Sequence, residues 1–168
     1  MAVREVLRAP HPTLKSTARP LDPGERDVAE RVGADLLDTM RSFSRCVGIA
    51  APQIGELVRV VVVDVTDHPK ATDCHGELVL VNPRVVESSG AEVAREGCLS
   101  IPELTANVRR ATRVTIAAAA PDGAELEIAT GGFEARCLLH ELDHLDGVLF
   151  LDRVDSLATD VFRRKSYG

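Results

Sequence analysis

Apolar residues recur at helical spacing through Val28, Val32, Leu36, Met40 and Phe43, with Leu37 beside them, which predicts an amphipathic helix. Asp22, Pro23 and Glu25 stand where an N-cap, a first-turn proline and a capping-box glutamate belong, so this helix is expected to start at Asp22 and run to about residue 43. Before it, Pro10, Pro12 and Pro20 punctuate an extended arm that begins at Val6-Leu7-Arg8. After it, Cys46-Val47-Gly48-Ile49-Ala50-Ala51-Pro52-Gln53-Ile54-Gly55 is too small, too apolar and too interrupted for a helix, and its small residues let another backbone come close.

The pattern then turns to strands. Val58 to Asp64 reads as a buried strand, and Glu77 to Val81 as another that ends at Asn82-Pro83. The polar loop between them contains His68, Cys74 and His75, which without further ligands are read as solvated. Residues 92 to 96 predict a strand leading into Gly97-Cys98-Leu99-Ser100-Ile101-Pro102. Arg113 to Ala119 and Glu125 to Ala129, joined around Pro121-Asp122-Gly123, predict a hairpin. A second helix follows Gly131-Gly132 and stops at Gly147, and a short terminal helix is expected from Asp155 to Arg164.

The second helix carries the chemistry. In Cys137-Leu138-Leu139-His140-Glu141-Leu142-Asp143-His144, the two histidines share one helix face with Glu141 beside them, while Ala135, Leu138, Leu142 and Leu145 cover the other. Imidazoles at i and i+4 can converge on one divalent cation, and the glutamate can serve a water without binding the metal. A catalytic metal needs a third protein ligand. Cys137 lies on the same helix, about 10.5 Å along the axis from His144, too far for one rigid helix to bring both to one ion. Cys98, in a turn that can cross the helix face, is the better candidate. A thiolate with two imidazoles suits iron(II), zinc, cobalt or nickel.

Length and composition narrow the setting. The 168 residues suffice for one domain with a true core, 1–168. A net charge of −6 argues against a basic nucleic-acid surface. Four cysteines without paired spacing, no apolar leader and no long apolar run lead to the expectation of a soluble protein of a reducing cytoplasm, away from any membrane.

Val47-Gly48-Ile49-Ala50-Ala51-Pro52-Gln53, Glu96-Gly97-Cys98-Leu99-Ser100 and His140-Glu141-Leu142-Asp143-His144-Leu145-Asp146-Gly147 resemble, in order and separation, the three motifs of the peptide deformylases. The similarity extends from Val6 to Leu151. It implies an α+β fold, with small antiparallel sheets wrapped around the metal-binding helix. It also implies hydrolysis of the N-formyl group of formyl-methionyl nascent peptides, in bacteria or organelles, and Fe2+ as the metal, with Zn2+, Ni2+ or Co2+ as alternatives; a monomer in the bacterial cytoplasm, meeting its substrates near the ribosome exit, is the accompanying expectation. By this resemblance Cys98, His140 and His144 would bind the metal, and Glu141 would be the general base and acid. Gln53 and the Leu99 N–H would form the oxyanion hole. The peptide would pair along Gly48 and Ile49, and the methionine would enter a pocket near Val47, Phe133, Arg136, Cys137 and His140. Glu96, Arg110 and Asp143 would support the ligands from behind.

Three residues depart from the family pattern: Cys46 replaces a usual glycine, Leu139 a usual glutamine, and Thr105 an arginine found in several members. Two alternatives stay open, a deformylase-like paralogue with altered substrate range and a metal-binding protein without turnover. A metalloprotease of the His-Glu-x-x-His type would need a downstream His or Glu ligand, and the last 24 residues contain neither.

Overall fold

The computed structural model describes residues 2–164. Its first helix, α1, spans Arg26–Arg41 and buries Ala29, Val32, Leu36 and Met40. It starts later than the expected Asp22. Glu25 is the N-cap, because residues 22–25 close a separate turn: Glu25 N–H donates to Asp22 O at 2.9 Å, and the Asp22 N–H donates to the Glu25 carboxylate at 2.8 Å.

Among the described residues, eight strands form two antiparallel sheets. β1 (Gly48–Ala50), β2 (Val60–Val63), β3 (Leu78–Ser89), β6 (Arg113–Ala119) and β7 (Glu125–Gly131) make a five-stranded sheet in the order β1-β2-β3-β6-β7. β4 (Glu92–Cys98), β5 (Ile101–Arg110) and β8 (Val161–Arg163) make a three-stranded sheet in that order. The second helix, α2, spans Gly132–Leu145, and the chain turns away at Gly147, whose φ is 73°.

Two further expectations about the elements are corrected, and one strand comes unforeseen. β3 does not stop at Asn82-Pro83; Asn82, at φ 50°, sits in a register shift between Val81 and Arg84, and its side chain bonds Leu21 N–H and C=O at 2.9 and 2.8 Å. A bulge is where a proline can stand inside a strand. β5, not foreseen from the pattern, continues for 10 residues beyond the turn at Leu99-Ser100. The expected terminal helix is also absent: Phe150–Arg153 is a 3-10 turn, and Val161–Arg163 pairs as β8 with Leu104–Ala106 of β5. An unpaired β5 edge outweighs weak helix propensity in Val161 and Phe162, which suit strands.

The core is organised around β2, where all four valines are fully buried. Val60 and Val62 pack with Leu36, Val32 and Ile49 under α1, while Val61 and Val63 pack with Leu138, Leu142 and Leu145 of α2. Period-two alternation therefore gives one strand two apolar faces, each valine contributing about 1.5–3 kcal/mol by burial. A third cluster, with Leu14, Val108 and Phe150, underlies β5. The N-terminal arm ties the functional loops together through Leu7 N–H to Gln53 O at 2.8 Å and Ala9 N–H to Ser100 O at 2.9 Å. No helix among the described residues is long and apolar enough to cross a membrane.

Candidate active site

The apolar face of α2 is spent on the five-stranded sheet, which leaves Arg136, His140, Asp143 and His144 to meet β4 and β5. Glu96 of β4 receives Arg110 through two bonds of 2.6 and 2.9 Å, Arg136 at 2.7 Å and His140 Nδ1 at 2.9 Å. Asp143 receives Arg110 at 2.8 Å and Arg153 at 2.5 and 2.8 Å. Two carboxylates thus face three guanidinia, and every bond is charge-assisted. Burial alone would raise Glu96, but hydrogen bonds and charge from His140 and Arg110 outweigh it and hold the group at about 2. With Nδ1 engaged by Glu96, the His140 ring turns Nε2 away from Glu96.

There it meets Cys98 and His144. One donor atom from each of the three residues lies within 4.8 Å of the others, and Cys98 Sγ is 3.4 Å from His144 Nε2. Ligand bonds of about 2.3 Å to sulfur and about 2.0–2.1 Å to nitrogen at tetrahedral angles set S and N about 3.6 Å apart, so this donor set fits a divalent metal. Gln53 is fixed beside it. Its Oε1 accepts from Ala50 N–H at 2.9 Å, and its Nε2 reaches Ser100 Oγ at 3.1 Å and Cys98 Sγ at 3.5 Å.

Glu141 completes the group. Its carboxylate lies against Gly48, where a Cβ would sit 2.9 Å from Oε2, so a side chain at 48 would displace it. Oε1 is buried without a hydrogen-bond partner among the described residues. Burial pushes Glu141 up to about 7 against the pull of His140 and Arg110. A buried carboxylate held near neutrality beside a metal-ligand cluster is suited to taking up and releasing a proton. The cluster opens into a cavity of about 390 Å³.

The sequence pattern of the polypeptide deformylase family matches residues 3–160. The chain is 41% identical over 160 residues to the peptide deformylase of Thermomicrobium roseum, covering 95% of this chain and 90% of the relative. The chain belongs to the polypeptide deformylase family. Peptide deformylase 2 of Vibrio cholerae is 39% identical over 167 residues, covering 98% and 94%. Among solved structures, a Legionella pneumophila peptide deformylase superposes with a TM-score of 0.82 at 38% identity, covering 93% of this chain and 88% of that one. The Met-Ala-Ser-bound class I type b enzyme of Acinetobacter baumannii gives 0.84 at 33% identity, covering 91% and 100%.

In this chain, Val47, Gly48, Gln53, Leu99, Phe133, Arg136, Cys137, His140 and Glu141 all line the cavity. Ile49 does not: its side chain is fully buried under α1, and strand alternation turns it to the core. The Asp64 N–H to Val47 O bond makes residue 47 a hydrogen-bonded partner of residue 64, so the main-chain groups of Gly48 point away from β2, toward the cavity. Arg136 lines the cavity, but its guanidinium is committed to Glu96, Val108 O and Glu92 O.

Of the departures, Leu139 packs with the α2 core, Thr105 lines the cavity beside Arg95, and the Cys46 thiol donates to Gly48 O at 3.2 Å. Of the loop residues read as solvated, Cys74 is exposed, while His68 and His75 have structural partners. His68 stacks on Phe133 with ring centroids 4.2 Å apart, and His75 bonds the buried Glu134 through its ring at 2.6 Å and its N–H at 2.8 Å. Sequence reasoning also missed the cavity's cationic rim of Arg45, Lys70, Arg95 and Arg164. These residues come from separate segments, and no spacing joins them.

Proposed function

We propose that this chain, working as one catalytic domain over 1–168, hydrolyses the N-formyl group of formyl-methionyl ends of newly made polypeptides in the bacterial cytoplasm and releases formate. The observation that carries the reading is Glu141, buried with a carboxylate oxygen that has no partner among the described residues, beside the Cys98, His140 and His144 donors. The Acinetobacter baumannii relative supports it by binding Met-Ala-Ser, the tripeptide left when formyl-Met-Ala-Ser loses its formyl group.

Cys98, His140 and His144 would hold one divalent metal, iron(II) in the cell. That ion would act as a Lewis acid on the formyl oxygen and lower the pKa of water. Glu141 takes the proton of the attacking water and passes it to the leaving amine nitrogen, so one carboxylate serves both halves of the reaction. Gln53 Nε2 and the Leu99 N–H donate to the oxygen on which negative charge develops. Peptide main chain pairs with the outward groups of Gly48 on the open edge of β1, and the methionine side chain fills the space lined by Val47, Phe133 and Cys137. Glu96, Arg110 and Asp143 fix the orientation of His140 from behind.

The test is anaerobic purification followed by assay on formyl-Met-Ala-Ser beside acetyl-Met-Ala-Ser. Formate release from the first with negligible hydrolysis of the second is the expected result. Metal-loaded protein that cleaves neither, or both alike, would contradict the reading and favour a metal-binding protein without turnover or a broader amidase.

A further inference from the structure

The cavity lies between two open sheet edges. β1 ends the five-stranded sheet, and β4 ends the three-stranded one. Along β4, Glu96 and Cys98 are buried while Arg95 and Gly97 face outward, so the next row outward across this sheet is Gly97, Thr105 and Phe162. β8 and the residue that follows it bring two side chains to that row. Phe162 lies under the Arg95 guanidinium, 3.7 Å from its Cζ, and Arg95 is held further by Asn107 Oδ1 at 3.2 Å and Thr105 Oγ1 at 3.3 Å. Arg164, anchored by its N–H to Glu103 O at 2.8 Å, reaches back across the sheet and lays its guanidinium over Gly97. Any side chain at 97 would meet that guanidinium first, with Thr105 Cγ2 at 3.6 Å behind it. The missing side chain at Gly97 is therefore what admits Arg164 to the cavity wall.

A formyl-methionine on the cavity floor leaves the following residues to cross this rim. An extended peptide there presents carbonyl oxygens at regular intervals, and a guanidinium offers a planar fork of donors. We propose that Arg164 is a positioning residue that donates hydrogen bonds to main-chain carbonyl oxygens of the peptide beyond its methionine, so that β8 forms part of the substrate site. The proposal rests on the deformylase reading only for the direction in which the peptide enters.

Steady-state kinetics on formyl-Met amide and formyl-Met-Ala-Ser amide test it, with Arg164→Gln and Arg164→Lys. In Arg164→Gln the tripeptide-to-single-residue ratio of kcat/KM should fall roughly 5- to 20-fold, as expected for loss of charged hydrogen bonds at a partly wet rim. The fall should appear in KM, and Arg164→Lys should recover part of it. Equal losses on both substrates, or no loss, would overturn the proposal. So would an effect confined to tripeptides with a free C-terminal carboxylate. Binding of Met-Ala-Ser amide needs no turnover and separates the two readings: a Kd raised by a similar factor in Arg164→Gln supports the role of Arg164 even in an inactive preparation, and an unchanged Kd overturns it.

Discussion

At the floor of the cavity and beneath it, Glu96 and Arg110 have side chains only 5% and 3% exposed and are held by partners on three different elements. At the rim, Arg95 is exposed and rests on the face of Phe162 and two neutral side chains. The floor is expensive to disturb, because removing one member strands a buried charge. The rim is cheap to disturb, because water can replace what is lost. Reaction chemistry belongs to the part whose geometry is overdetermined, and substrate range to the part that can vary without unfolding the protein.

The largest effect should come from the floor. Glu141→Ala should keep the metal and the fold while lowering kcat by about 10²–10⁴, the usual worth of a positioned acid-base group. Near-normal turnover by a metal-loaded variant would remove Glu141 from the chemistry. Next comes stability. Arg110→Met should cost about 3–5 kcal/mol in denaturant titration, since Glu96 and Asp143 lose their shared partner. Arg95→Met should cost about 1 kcal/mol or less, the range of an exposed cation-π contact. Similar losses for the two arginines would erase the distinction between floor and rim.

The smallest effect concerns Cys46. Burial pushes its thiol up to about 12, and the neutral S–H occupies Gly48 O, an acceptor that the proposed peptide pairing would use. Cys46→Gly should lower KM for longer formyl peptides by the equivalent of about 1 kcal/mol or less, with kcat unchanged. A lower Tm with unaltered peptide kinetics would instead make Cys46 a packing residue.

This division also explains what the sequence could disclose. His140, Glu141 and His144 are legible because one helix fixes their spacing, and Cys98 because helix geometry excludes Cys137. β2, the start of β3, β4, β6 and β7 follow from apolar runs and alternation, as in the two-faced run of β2, whereas β5 leaves no such signal. Asn82-Pro83 misleads because a bulge and a strand end carry the same residues. The segment from Asp155 to Arg164 misleads because its fate depends on an edge of β5 that only the tertiary fold leaves open. Arg153 and Arg164, and the partners of Arg136, are silent in the sequence for the same reason: a guanidinium's partner is set by which strands and helices become neighbours. His68 joins the cavity only because its loop folds over Phe133.

X-ray absorption on anaerobically loaded protein tests the central assignment most directly. One metal per chain with one sulfur and two imidazole nitrogens is expected, with sulfur and metal both lost in Cys98→Ala and both kept in Cys137→Ala. A metal shell without sulfur, or one abolished by Cys137→Ala and intact in Cys98→Ala, would contradict it.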